Sequence, residues 1–145
     1  MLVRARRLAA VALLLASSAL AGDETPQDTT PFVAAFRAAF EGKDLGAALN
    51  LFCWTGIDGA KQRFIVGLVE RDLAGTLVRT RMLDAHAGPT TYIIDGVPNR
   101  PNAPVVGHLL AEFEEPGGGR HFSLHMLGET ADGHCIALAV PELES

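Results

Sequence analysis

Residues 64–83 read FIVGLVERDLAGTLVRTRML, and the spacing of their apolar side chains changes partway along the stretch. Up to Leu73 the apolar residues recur every three or four positions, which is the period of an amphipathic helix. From Thr76 onward they alternate with polar residues, as they do along a strand with one buried face. Gly75 separates the two patterns and is well suited to end a helix. The stretch therefore predicts a helix that leads directly into a strand.

Two more helical patterns precede this one. Thr30 followed by Pro31 is a strong helix start, because threonine can cap free amides and proline is tolerated at the first position. Asp44 and Asp58 are placed to cap the next two helices, and Gly56 is placed to end the second. The predicted helices cover residues 32–40, 45–54 and 60–73.

Strand-like alternation dominates the chain after Thr76. It is clearest in VVGHLLAEFEE, residues 105–115, where Leu109, Ala111 and Phe113 oppose the face that carries His108, Leu110 and Glu112. Three further stretches predict strands: TYIID (91–95), RHFSLHMLGE (120–129) and HCIALAVP (134–141). We predict a loop for GVPNRPNAP (96–104), because prolines remove donors and restrict the residues before them. Helices followed by sequential strands predict an α+β fold, with one antiparallel sheet of about four to five strands carrying helices on one face.

The N-terminus has the three-part layout of a secretory signal peptide. The basic start MLVRARR precedes an uncharged apolar stretch, which ends in the small-x-small sequence Ala19-Leu20-Ala21. The apolar core is short for a membrane span of about 20 residues, and an uncleaved anchor is the alternative that we favour less. We predict a signal peptide over 1–21, a disordered lead-in over 22–30 and one cone-like domain over 31–145. The protein is expected to be exported, periplasmic or secreted.

Charge excludes one class of partner. Cleavage after Ala21 would remove three arginines and leave nine basic residues against 17 acidic ones, a net charge of −8. Such a chain repels phosphate backbones, so we expect no nucleic-acid binding. We expect contact with a membrane only through an uncleaved leader.

The five histidines do not form a local metal motif. His121 and His125 are four residues apart, but the sequence between them alternates like a strand. On a strand the two residues would share a face about 13 Å apart, at about 3.3 Å per residue. One metal ion would then need ligands from neighbouring strands, such as His108 or His134. We therefore predict neither a metal nor any other cofactor.

Covalent catalysis has no recognisable motif here either. Cys53 lacks a histidine or asparagine in a familiar arrangement, and Ser123 lies between two histidines without a nucleophile elbow. The run GGGR at residues 117–120 lacks the ending of a phosphate-binding loop. We interpret it as a flexible turn between two strands.

Several side chains are candidates for binding. Arg79 and Arg81, which we place on one strand face with Leu77 and Leu83, could hold an anion if that face lines a pocket. They would be ordinary solvated charges if it faces outward, which is the favoured interpretation. Trp54 is either a core or rim residue, as we favour, or a surface on which a ligand stacks. The candidate ligand-binding residues are Trp54, Arg79, Arg81, Tyr92, His108, Glu112 and His125.

The two cysteines, Cys53 and Cys135, could form a disulfide in an exported chain. Cys53 is expected in the last turn of the second helix, and helix and sheet layers lie near 10 Å apart. The larger side chains of Ile136 and Leu138 are expected to fill the core, which would aim Cys135 the other way. We therefore predict free thiols, with the disulfide as the alternative.

The phrase AFEGKDLGAALNLF, residues 39–52, followed by a third helix and then strands, resembles the nuclear transport factor 2-like superfamily. The resemblance covers about residues 31–140. It implies a cone in which a curved sheet wraps a long helix and leaves a pocket at the open end. The enzymes of that superfamily use an aspartate or a His–Asp pair inside the cone, and no matching motif of this chain supplies either.

Two functions follow as expectations. The favoured one is an exported, non-catalytic domain that binds a small apolar ligand or a protein partner. The alternative is a small cone-type enzyme, an isomerase or hydrolyase, with a pocket carboxylate or histidine as general base. Its candidate bases are Asp95, Glu112, His108 and His125. A homodimer through the outer sheet face is a further possibility.

Overall fold

The computed structural model describes residues 28–88 and 91–142, and it has the predicted α+β architecture. The helices are α1 (Thr30–Glu41), α2 (Leu45–Leu49) and α3 (Gly59–Ala74). The strands are β1 (Thr76–Leu83), β2 (Tyr92–Ile94), β3 (Val97–Pro101), β4 (Val105–Glu114), β5 (Arg120–Thr130), β6 (Gly133–Ala137) and β7 (Ala139–Pro141). The predicted signal peptide lies outside the described residues. Within them, no helix has both the length and the apolar character needed to cross a membrane.

The Asp44 and Asp58 caps form as the sequence predicts, whereas Thr30 lies within α1 and the N-cap residue Thr29 makes no side-chain capping hydrogen bond. The Asp44 side chain accepts a hydrogen bond from the Ala47 amide at 3.0 Å, and Asp58 accepts one from Lys61 at 2.8 Å. These aspartates satisfy amides that have no partner within the helix. The predicted helices over 32–40 and 60–73 lie inside α1 and α3.

The strands form two antiparallel sheets, whereas the prediction was a single sheet. The larger sheet has the order β1-β4-β5-β6, and the smaller one has the order β2-β3-β7. The split occurs after Ala137, where the chain leaves β5 and continues as β7 to pair with β3. The turn between β2 and β3 has positive φ angles at Asp95 and Gly96, 51° and 77°, which suit a two-residue hairpin.

Strand β3 lies in the segment for which we predicted a loop. Its two prolines remove backbone donors but not acceptors. The Pro98 carbonyl accepts a hydrogen bond from the Glu142 amide at 2.9 Å, and Pro101 lies opposite Ala139 of β7. The loop prediction was wrong because a short ladder needs few of the donors that proline lacks.

The core lies between the helices and one face of the larger sheet, which we call the inner face. Leu109, Ala111 and Phe113 of β4 are fully buried there, as their alternation predicts. The Phe36 and Phe40 rings of α1 stack with centroids 4.4 Å apart, and Phe40 lies 5.6 Å from Phe113. These contacts fix α1 on the sheet.

An irregularity in β1 changes the predicted faces of that strand. Leu77 pairs with Phe113 and is buried, but the register shifts before Arg79, which pairs with Glu112. The extra residue, Val78, breaks the alternation, as a β-bulge does. Leu77 is therefore on the inner face, and Arg79 is on the opposite, outer face. The prediction that the two share a face was wrong.

The predicted second helix is too long, and this error also affects the cysteines. Helix α2 ends at Leu49, so Cys53 lies beyond it in an extended segment. Phe52 forms a parallel bridge with Ile136, which places this segment beside β6. Cys53 and Cys135 have Cα atoms 5.4 Å apart and form a disulfide, so the prediction of free thiols was wrong. The spacing near 10 Å between helix and sheet layers does not separate the two cysteines, because both belong to neighbouring extended segments.

The disulfide also bears on where the protein functions. Such bonds form and persist in oxidising compartments and are rare in the cytosol. Cys53–Cys135 therefore indicates an oxidising, extracytoplasmic environment. This agrees with the export predicted from the N-terminus.

Candidate functional site

The two sheets diverge beside α3 and leave a groove. Strand β6 pairs with β5 only between Met126 and Thr130, so the edge of β5 from Arg120 to His125 has no partner among the described strands. The chain from Ile136 to Ala139 moves away from this edge. Helix α3 lies alongside, and the space between these elements is an open cavity of about 420 Å³. We call it the α3–β5 groove.

The wall of the groove is mainly apolar. Helix α3, strand β5 and the segment that runs from β6 to β7 all contribute to it. Two of the lining side chains are half exposed, Leu68 at 42% and Leu124 at 47%. The apolar lining includes Phe52, Ile65, Leu68, Val69, Leu124 and Ile136.

A buried carboxylate lies at one side of this apolar surface. Asp72 follows Ile65 and Val69 on the buried stripe of α3 and is 7% exposed. Its Oδ1 is 2.8 Å from His121 Nε2, and its Oδ2 accepts a hydrogen bond from Ser123 Oγ, also at 2.8 Å. Both partners come from the inner face of β5. Three polar side chains from two elements therefore form one cluster, of which Asp72 and Ser123 line the groove.

The geometry of this cluster excludes a serine nucleophile activated by histidine. Such a site needs the imidazole between the hydroxyl and the carboxylate. Here Asp72 lies between His121 and Ser123, and the serine proton is directed at the carboxylate. The His121 ring also stacks on Phe113 at 5.1 Å, and its Nδ1 is 3.2 Å from Glu115 Oε1. The arrangement fixes side chains in place and does not activate a hydroxyl.

His125 is one of the predicted candidates that line the groove. Its ring is 5.7 Å from the Phe36 ring and 6.1 Å from the Phe52 ring. Burial lowers the pKa of His125 to about 4, although nearby Asp72 acts in the opposite direction. The imidazole is therefore neutral at pH 7. Its Nε2 is buried without a hydrogen-bond partner in the described part of the chain.

Two other candidates, Tyr92 and Trp54, have different surroundings. Tyr92 lines the groove, its hydroxyl is 3.3 Å from Met126 Sδ, and burial raises its pKa. Trp54 packs against the core beside Phe52, with ring centroids 5.7 Å apart, and its Nε1 donates to the Leu49 carbonyl at 2.9 Å. The indole of Trp54 thus satisfies a carbonyl at the C-terminus of α2 and does not line the groove.

Arg79, Arg81 and Glu112 lie on the outer face of the larger sheet. Glu112 is 2.8 Å from Arg79 Nη2 and 2.5 Å from Arg120 Nη1, and its side chain is only 5% exposed because the two guanidinium groups cover it. The Arg120 hydrogen bond is the main cause that holds the pKa of Glu112 below its usual value. With Leu110 and Phe122, the three candidates line a small depression of about 160 Å³.

His108 also points to the outer face and is almost fully buried, at 1% exposed. Its Nδ1 lies 3.0 Å from the Asp84 carbonyl oxygen. A side chain at Gly88 would collide with it, because a Cβ there would be 2.6 Å from His108 Nε2. His108 is thus covered by the loop after β1 and separated from the groove by the sheet. Asp95 lies in the hairpin turn between β2 and β3.

The cluster of Asp72, His121 and Ser123 was not predicted from the sequence. Two features of the sequence could have indicated it. Asp72 is an acidic residue on the buried stripe of α3, and the inner face of β5 carries polar side chains where apolar ones are usual. The pairing of β5 with β4 fixes that face, because His121, Ser123 and His125 lie opposite the buried residues of β4. No group of three or more His, Cys, Asp or Glu side chains in residues 28–88 and 91–142 is placed to hold a metal ion.

Comparison with protein-family profiles, with curated proteins and with solved structures finds no match to this chain.

Proposed function

We propose that this chain is an exported, non-catalytic domain that binds a small apolar ligand in the α3–β5 groove. The observation that carries the proposal is the groove itself, an apolar cavity of about 420 Å³ with a few convergent polar groups. Small-molecule sites have this composition and volumes of roughly 300–1,000 Å³. The signal-peptide pattern and the disulfide support the exported location.

The element order supports the cone-type resemblance as part of this proposal. Helices come first, antiparallel strands follow, and the groove lies between a long helix and the edge of a sheet. In a nuclear transport factor 2-like domain the pocket is likewise enclosed by helix and sheet. We place the ligand site of this chain in the corresponding space.

Titration with the neutral apolar dye Nile red tests the binding function. We expect saturable fluorescence enhancement with one site per chain. Leu68→Asn should weaken binding about fivefold, because Leu68 is half exposed and its loss would leave part of the ligand in contact with water. The matched control is Phe64→Asn, since Phe64 is exposed on the same helix but does not line the groove. Absence of saturable binding, or equal losses in both variants, would contradict the proposal.

The enzymatic alternative takes His125 as the general base in the groove, beside the contact between His121 and Asp72. Two features make it the weaker candidate. Both Asp72 oxygens already have partners, and the pKa of His125 near 4 is far below the value that suits a general base at neutral pH. A base that removes a carbon-bound proton would exchange it with solvent. Deuterium incorporation into a bound ligand in heavy water, lost in His125→Gln, would support the enzyme instead.

The protein-partner form of the proposal rests on the outer face of the larger sheet. Three of its apolar side chains are at least 39% exposed, namely Phe122 on this face and Val78 and Val106 at the two register shifts of β1 and β4. Exposed apolar side chains of this kind can pack against a second copy or another protein. Sedimentation velocity tests the homodimer, for which Phe122→Ser should shift the protein to the monomer. A single monomeric species at high concentration would exclude it.

A further inference from the structure

We infer that the ligand of the α3–β5 groove carries a positively charged hydrogen-bond donor at its polar end, as an amphiphilic amine does. The inference rests on the proposed function of the groove and adds the chemical class of its ligand. It comes from the hydrogen bonds and charges of the side chains that line or border the groove.

The polar side chains of the Asp72 cluster direct their hydrogen-bond donors at one another and not at the groove. Ser123 donates its only hydroxyl proton to Asp72, and His121 Nε2 is directed at the other oxygen of the same carboxylate. A carboxylate has about four lone-pair sites, and a hydroxyl oxygen has two. What Asp72 and Ser123 still offer to a ligand is therefore acceptor capacity. A ligand donor fits this surface, and a ligand carboxylate does not.

The buried charged side chain of the groove wall is the carboxylate of Asp72. Asp72 is 7% exposed, so solvent screens its charge poorly. The neighbouring imidazole of His125 is neutral at pH 7 and supplies no positive charge. Arg71 also lines the groove, but its side chain is 60% exposed and lies 4.0 Å from Glu115, so solvent and that carboxylate weaken the field of its charge. His121 lies between the carboxylates of Asp72 and Glu115.

His125 offers a second polar group to a ligand in the same groove. Its buried Nε2 has no hydrogen-bond partner among the described residues, which is uncommon for a buried polar atom. The ring lines the same groove as Asp72. A polar ligand head placed between them would contact both groups.

A ligand series with one alkyl chain tests the inference on the unmodified protein. The probes are n-octylammonium, n-octanol and n-octanoate, each measured by displacement of Nile red at pH 7.5 and 150 mM salt. We expect n-octylammonium to bind at least about tenfold more tightly than n-octanol, as a hydrogen bond to a charged group allows. We expect n-octanoate to bind most weakly.

A variant pair separates the local effect from the overall negative charge of the protein. Asp72→Asn should remove the preference for n-octylammonium over n-octanol. The control is Glu70→Gln, which removes one negative charge from an exposed position of the same helix and should keep the preference. Should Asp72→Asn not fold, the ligand series on the unmodified protein still decides the question.

The outcomes distinguish this inference from the function on which it rests. Displacement of the dye by all three probes with equal affinity, or most strongly by n-octanoate, would overturn the amine class but leave the apolar groove in place. An equal preference for the amine in Asp72→Asn and in the unmodified protein would also overturn it. Failure of all three probes to bind would contradict the proposed function as well.

Discussion

The Cys53 amide donates a hydrogen bond to the Ile136 carbonyl at 2.9 Å, and the Ile136 amide donates to the Leu51 carbonyl at 2.7 Å. These two bonds attach the segment after α2 to the edge of β6. Neighbouring extended segments lie about 5 Å apart, which is within the range that a disulfide requires. The disulfide is thus a consequence of the pairing between the segment after α2 and strand β6. Asn102 supports the same junction, because its side chain donates to the carbonyls of Cys53 and Thr55.

We predict that denatured, unreduced protein shows no free thiols in a labelling experiment. Breaking the bond with the double variant Cys53→Ser/Cys135→Ser should lower the free energy of unfolding by about 4–5 kcal/mol on chain-entropy grounds, given a separation of 82 residues. Urea unfolding of the oxidised protein and of the variant measures this difference. Two labelled thiols per chain would contradict the disulfide.

The buried carboxylate of α3 gives a second prediction. Asp72→Ala would leave His121 and Ser123 without their partner, so we expect the free energy of unfolding to fall by about 3 kcal/mol. Glu70→Ala, at an exposed position of the same helix, should change it by less than about 0.5 kcal/mol. Chemical denaturation of both variants checks the contrast. Equal small effects would show that the cluster contributes nothing to stability.

The neutral state of His125 predicts a specific pH dependence. Its pKa is about 4 in the folded protein against an ordinary value of 6.5, so between these two pH values the unfolded chain binds a proton that the folded chain excludes. The associated stability is present above about pH 6.5 and is lost as the pH falls toward 4, by about 3 kcal/mol in total. His125→Gln should remove this component. Denaturation of both proteins at pH 7.0, 5.5 and 4.5 measures it, and parallel curves would contradict the assignment.

Glu112 provides a titration that reports on the outer sheet face. Arg120, and then Arg79, keep the pKa of Glu112 below its usual value. Arg120→Gln should therefore raise that pKa more than Arg79→Gln does, because the hydrogen bond from Arg120 is the largest cause. NMR of the side-chain carboxyl carbon of Glu112 follows both variants. A larger effect of Arg79→Gln would reverse the assigned order.

Local pattern was sufficient to predict α1, α3 and most strands. Their apolar periods are long and regular, and Asp44 and Asp58 mark helix starts by a mechanism that depends only on nearby amides. The alternation of β4 likewise identified its inner face correctly, although His108 and Glu112 of the outer face are buried as well. These features depend on residues close together in sequence.

The errors share a different cause, since each depends on a partner distant in sequence. Helix α2 ends early because the segment around Phe52 pairs with β6, and β3 forms because β2 and β7 lie on either side of it. The groove arises where β6 leaves β5, and the Asp72 cluster arises where α3 meets β5. The spacing of apolar residues within one helix or strand does not indicate which other helix or strand it contacts.

The most direct test of the central claim is a backbone-amide NMR titration of the protein with n-octanol. If the α3–β5 groove is the ligand site, the largest saturable shifts should fall on residues 122–126 and 136–139 and on Ile65 and Val69 of α3. The outer-face residues Arg81 and Leu110 should move least. Shifts centred on those two residues, or no saturable shifts at all, would contradict the account.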